Sequence, residues 1–165
     1  MNVPRPAWPP VSVRQRIIDH RELTDLVRAS GRSDPALDQA LSRYLVIRSA
    51  GLIESIRDDV ADLYIREVAH ARAHRRITSG LRQGQGARPK QLLDFLRSFD
   101  PAWAEEFALF IDQDDARVKD SLGALIAART KIAHGDGEAV SISHALRWAD
   151  VAKEVSDWLI RRFEP

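Results

Sequence analysis

Residues 33–76 read "SDPALDQALSRYLVIRSAGLIESIRDDVADLYIREVAHARAHRR". Apolar side chains at Leu37, Leu41, Tyr44, Leu45, Ile47, Leu52, Ile56, Val60, Leu63 and Val68 recur, most often at steps of three and four, the spacing that gathers residues on one side of a helix. Asp34 offers an N-cap, and Pro35 suits the first helical position, where an N–H would have no intrahelical partner anyway. The stretch therefore reads as one long helix, with Ser49-Ala50-Gly51 as the place where a kink is expected.

The flanking segments repeat the helical pattern. "VSVRQRIIDHRELTDLVRAS" precedes it, with Ser12 and Gln15 at capping-box spacing and Gly31 beyond its end. After it, "SGLRQGQGARP" is a Gly- and Gln-rich loop. "KQLLDFLRSF" and "PAWAEEFALFI" are shorter helices separated at Asp100-Pro101, and "DARVKDSLGALIAARTKIAH" is a further helix stopped by "GDG". "SHALRWADVAKEVSDWLIRRF" is the last, with Ser143 as its expected cap. No segment alternates with period two and no hairpin turn pairs occur, so the chain is expected to be an all-α bundle without internal repeats.

Composition supports one globular domain. The chain has 165 residues, 44% hydrophobic and 30% charged, enough to bury a core without staples. It has no cysteine, which excludes disulfides and thiolate metal sites. No apolar run approaches a membrane span, and "MNVPRPAWPPVSV" lacks a secretory apolar region, so a cytoplasmic location without membrane contact is expected. Residues 1–11 are expected to be an extended Pro-rich arm, either a tail or a strap across a partner anchored by Trp8. Residues 12–165 form the helical domain. Trp103, Trp148 and Trp158 read as helix-packing residues.

Charge is segregated. Arg66 to Lys90 carries seven basic residues against one acid, whereas Asp94 to Asp120 carries eight acids against three bases. The basic run suits a polyanion, or equally a solvated helix end with its loop.

One helix carries an anomaly. Its apolar stripe runs Val118, Leu122, Leu125, Arg129, Ile132, in steps of four, three, four and three, so Arg129 stands where a leucine belongs. A guanidinium on a seam requires an anion: an acid on a neighbouring helix, a group on a second subunit, or a ligand phosphate. His134 follows at the helix end, roughly 7.5 Å further along the axis and about 140° around it. A histidine there favours the helix dipole, and beside a fixed cation it also suits proton transfer.

The run Arg129-Thr130-Lys131-Ile132-Ala133-His134-Gly135 resembles the R-x4-H motif of the HEPN superfamily, whose familiar form is "RN-x-[IL]-A-H-G". "YLVIRSAGLIESIRDDV" resembles the long helix of that family, which carries an acidic residue, matched here by Glu54. The order of elements is also similar: a long helix, short helices, the motif helix and a terminal helix. The resemblance covers most of the chain from about Asp34 onward and is greatest to the RiboL-PSP-HEPN, or MAE-type, branch.

This resemblance implies a HEPN-like bundle acting as a metal-independent endoribonuclease without a cofactor. It implies a homodimer with two motifs facing across a cleft, and a role as a toxin or phage-defence effector with a possible antitoxin or defence partner. RNA brings its own nucleophile, the 2′-hydroxyl. By the resemblance, His134 moves protons and Arg129 stabilises charge at phosphorus, leaving 2′,3′-cyclic phosphate and 5′-hydroxyl ends. Glu54 and Thr130 complete the implied catalytic set. Arg72, Arg75, Arg76 and Lys131 are assigned to RNA contact. The alternative is a non-catalytic HEPN module that binds RNA or a partner protein.

Two departures stand out. Thr130 replaces the Asn, Asp or His often found after the motif arginine. Asp136 stands where the branch paired with minimal nucleotidyltransferases has a tyrosine, which counts against that arrangement. Elsewhere, His70 and His74 have the i, i+4 spacing of helical metal ligands but no obvious third ligand, so no metal is expected. His134, Asp136 and Glu138 alternate in what reads as a solvated turn. "GLRQGQGARPK" lacks the end of a P-loop. His20 offers no functional handle, and His144 lies near the start of the last helix.

Overall fold

The computed structural model describes residues 8–30, 34–68, 86–136 and 139–164. These form five helices: α1 (Val11–Ser30), α2 (Pro35–Val68), α3 (Pro89–Arg97), α4 (Pro101–Ala133) and α5 (Ile142–Arg162), with no strand among the described residues. None of the described helices is long and apolar enough to cross a membrane.

Caps set the helix starts. The Asp34 carboxylate accepts from the Ala36 N–H at 2.9 Å, and Asp100 does the same for Ala102 at 2.8 Å. Each is followed by proline at the first helical position, as the sequence indicates. Two expected caps are displaced. The Pro10 carbonyl already accepts from the Arg14 N–H, so Ser12 lies inside α1. At α5 the cap is Ser141, whose hydroxyl accepts from the His144 N–H at 3.3 Å, while Ser143 lies within the first turn.

α2 is the central element. It packs most extensively on α5 and also contacts α1 and α4, while α3 packs on α4. It runs as one 34-residue helix through Ser49, Ala50 and Gly51. Its buried side chains include Leu45, Val46, Leu52, Ile53, Ile56 and Val60, whereas Leu37, Tyr44, Ile47 and Val68 are exposed. The step pattern identified the helix correctly but mixed its inner and outer faces. A helix touched on several sides has no single apolar stripe.

α4 is broken. Gln113 to Ala116 leave helical geometry, and Asp114, Asp115 and Ala116 have φ of 53°, 55° and 60°. Aspartate tolerates the left-handed region better than most residues. The break divides α4 where the sequence placed a boundary. The second half is tied to α5 by Arg117, whose two terminal nitrogens reach the Glu154 carboxylate at 3.2 and 2.8 Å. The proline-rich arm ends on its own chain: the Trp8 indole N–H donates to the Ile160 carbonyl at 3.0 Å.

A polar pair is buried between α1 and α2. His20 Nε2 lies 2.9 Å from the Ser49 hydroxyl, and both residues are buried. Burial above all, with the positive fields of Arg48 and Lys153, pushes the His20 pKa from 6.5 down to about 4. The unfolded chain protonates this ring below about pH 6.5 while the folded chain keeps it neutral, so stability is complete above that pH and is lost as pH falls toward 4. Denaturant unfolding at pH 5 is expected to give about 2 kcal/mol less stability than at pH 7 through this residue. His20→Gln is expected to flatten that slope.

Candidate active site

The motif lies on the last two turns of α4. Val118, Leu122 and Leu125 are buried, while Arg129 and Ile132 are half-buried. The stripe thus runs out of the core toward the helix end, and the guanidinium sits at its rim. His134 is the C-cap, with its side chain exposed.

The backbone beyond the cap explains the "GDG" stop. Gly135 donates to the Ile132 carbonyl at 3.1 Å and Asp136 to the Lys131 carbonyl at 3.0 Å. These are the two bonds of a Schellman ending. Gly135 has φ of +78°, which a side chain disfavours. Gly135→Ala is therefore expected to cost about 1 kcal/mol by thermal unfolding and to loosen the turn that holds His134.

Arg129 has no ion pair or hydrogen bond to any described residue. The acid on a neighbouring helix, one of the three anions its position requires, is thus not found among the described residues. Arg57 shows what a paired arginine looks like in this bundle. It is 3% exposed, its Nε and one terminal nitrogen bind the Asp58 carboxylate at 2.9 and 2.7 Å, its other terminal nitrogen donates to the Gly86 carbonyl at 3.0 Å, and the group lies over the Phe95 ring. Sequence reasoning passed over Arg57 because its anion is its immediate neighbour in the chain.

The other motif residues are less engaged with the anomaly. The Thr130 hydroxyl donates to the Ile126 carbonyl at 2.9 Å, one turn back in its own helix. Glu54 is half-buried on α2 and forms no ion pair with Arg129 or His134. Lys131 is exposed. Arg72, Arg75 and Arg76 lie outside the described residues, as do His70, His74 and Glu138. Among the described residues no group of three or more His, Asp or Glu side chains is placed to hold a metal ion.

One arrangement that the sequence reading missed is a cleft between α1 and α2, about 200 Å³ in volume, lined by Arg16, His20, Arg48 and Gly51 among others. Neither Arg129 nor His134 lines it. A signal for it existed. Val13, Ile17, His20, Thr24 and Val27 follow the same four-three-four-three steps as the Arg129 stripe, which places a histidine on the inner face of α1. Compared with family models, with curated proteins and with solved structures, the chain matches none.

Proposed function

We propose that the chain is a metal-independent endoribonuclease of the HEPN type that works as a homodimer, with Arg129 and His134 at the interface. The observation that carries this reading is the half-buried Arg129 guanidinium, which has no carboxylate among the described residues, on the same helix end as an exposed histidine. Arg129 can still receive an anion from a substrate phosphate or a second copy.

In the proposed reaction the RNA 2′-oxygen attacks phosphorus, the bond from phosphorus to the 5′-oxygen breaks, and the 2′-hydroxyl proton leaves. His134 either accepts that proton or protonates the departing 5′-oxygen; two copies of the site can divide the tasks. Arg129 stabilises the negative charge that builds on the phosphoryl oxygens. Lys131, with the basic residues of 66–90, supplies sequence-independent attraction to the RNA backbone. The role that accompanies this chemistry is that of a toxin or phage-defence effector, held in check by an antitoxin or defence partner.

The test is cleavage of a labelled RNA panel by purified protein in EDTA, wild type beside His134→Ala, with end-group analysis. Cyclic-phosphate ends produced by wild type alone support the enzyme. A second reading, a non-catalytic module binding RNA or a protein, draws on Thr130, whose hydroxyl is turned back into its helix, and on Glu54, which engages neither motif residue. RNA binding without cleavage by either protein supports that reading.

A further inference from the structure

We propose that the cleft between α1 and α2 binds a single phosphate-type oxyanion, free phosphate or the terminal phosphoryl group of a phosphomonoester. This does not rest on the ribonuclease reading.

The charged side chains that line the cleft are all basic. Arg16 and Arg48 line it, and no carboxylate does. Arg16 gives its Nε to Asp59 Oδ2 at 3.0 Å, outside the lining, and its two terminal nitrogens make no hydrogen bond to a described residue. Arg48 is exposed and makes no ion pair or hydrogen bond with a described residue. Two arginines lining one concavity suit an oxyanion, whose oxygens a guanidinium can bind in pairs.

The floor supplies a third donor. His20 lies in the lining and is joined through Nε2 to the buried Ser49 hydroxyl. In the tautomer where Ser49 donates to Nε2, the His20 Nδ1–H remains as a donor, since it makes no bond to a described residue. Ser55, also in the lining, donates back to the Gly51 carbonyl and presents only its oxygen. The positive fields of Arg48 and Lys153 both favour the neutral form of the ring. An anion seated beside Arg48 offsets that field and brings the ring's titration back toward its ordinary range.

Gly51 leaves the wall of the cleft without a side chain. It stands in the middle of α2, where glycine weakens a helix relative to alanine. A Cβ built there meets nothing within 4 Å, so no neighbour in the protomer demands its absence. What the glycine does provide is open space in the cleft, which a larger side chain at this position would fill. Size narrows the ligand. At about 200 Å³ the cleft is smaller than the roughly 300–1,000 Å³ of sites for whole organic ligands, so it takes a phosphoryl group with a few waters and leaves a nucleoside outside.

The test uses the full chain in isothermal titration with inorganic phosphate, and with a deoxytrinucleotide carrying or lacking a 5′-phosphate. Wild type is compared with Arg48→Gln and Gly51→Leu, whose melting temperatures are measured in parallel. Wild type is expected to bind phosphate, Arg48→Gln at least about tenfold more weakly, and Gly51→Leu not at all, while it melts no lower than wild type. Binding of the 5′-phosphorylated but not the 5′-hydroxyl trinucleotide, lost in the same variants, identifies a chain end as the source. Binding of phosphate alone identifies the free ion. No binding of either by wild type at millimolar concentration, or equal binding by all three proteins, overturns the proposal.

Discussion

His134→Ala is expected to lower RNA cleavage by about 10²–10⁴-fold, the range that a positioned general acid or base contributes. The substitution is structurally mild. His134 is an exposed C-cap, and the turn beyond it is held by backbone bonds from Gly135 and Asp136. A substitution at so exposed a position costs about 0.5 kcal/mol or less. Melting temperature and oligomeric state are therefore expected to stay near wild type while activity falls. Arg129→Ala is expected to cost about 10²–10³-fold, as removal of a pre-placed group that stabilises transition-state charge usually does. Arg129→Lys keeps the charge but loses the planar fork, and is expected to fall between wild type and Arg129→Ala. Single-turnover cleavage in EDTA measures all three. Wild-type rates in His134→Ala would remove the histidine from the chemistry, and wild-type rates in Arg129→Ala would return that residue to a merely packed rim position.

The sequence made the helices legible because their signals are local. Asp34-Pro35 and Asp100-Pro101 each announce a start within two residues, and "GDG" announces a stop whose cause is Gly135 at φ +78°. Local signals fail by a residue or two where several candidates compete. Ser12 yields to the Pro10 carbonyl, and Ser143 yields to Ser141. Which side of α2 is buried was not legible, since Leu37, Tyr44 and Ile47 keep helical spacing yet face outward. That choice is made by α1, α4 and α5 together.

The candidate site divides the same way. Arg129 could be found from its own helix, because a cation interrupts a regular apolar stripe there. His20 interrupts its stripe equally plainly, but its meaning depends on Arg48, Ser49 and Gly51, which arrive from a different helix. Periodicity fixes the faces of one helix and says nothing of the register between two. Arg57 is the converse case. Its charge looks as anomalous in the core as that of Arg129, yet Asp58 and the Gly86 carbonyl satisfy it.

Phe163→Ala is expected to cost about 3–5 kcal/mol, at the upper end for a core truncation. The ring is fully buried just past the end of α5. Its centroid lies 5.0 Å from Trp103, 5.1 Å from Phe99, 5.7 Å from Tyr64 and 6.0 Å from Phe95. Three of these contacts are edge-on, the arrangement aromatic pairs favour, and the four together join α2, α3, the 98–100 connection and α4 to the C-terminal residues. Removing the ring forfeits its transfer free energy and leaves a hole whose walls are themselves rigid rings, each held by other partners. Tyr64, for example, also meets Phe99 and Trp103. Such walls collapse poorly, which is what raises the cost of a cavity. At roughly 2–4 °C per kcal/mol for a chain of this size, the melting temperature should fall by about 6–20 °C. Phe163→Leu keeps most of the volume and is expected to cost less than half as much. Cleavage measured well below the lowered melting point should stay near wild type, because Phe163 carries no group used at Arg129 or His134. A loss under about 1 kcal/mol would instead mean that Tyr64, Phe99 and Trp103 close over the gap, making this end of the bundle plastic where its packing implies a fitted core.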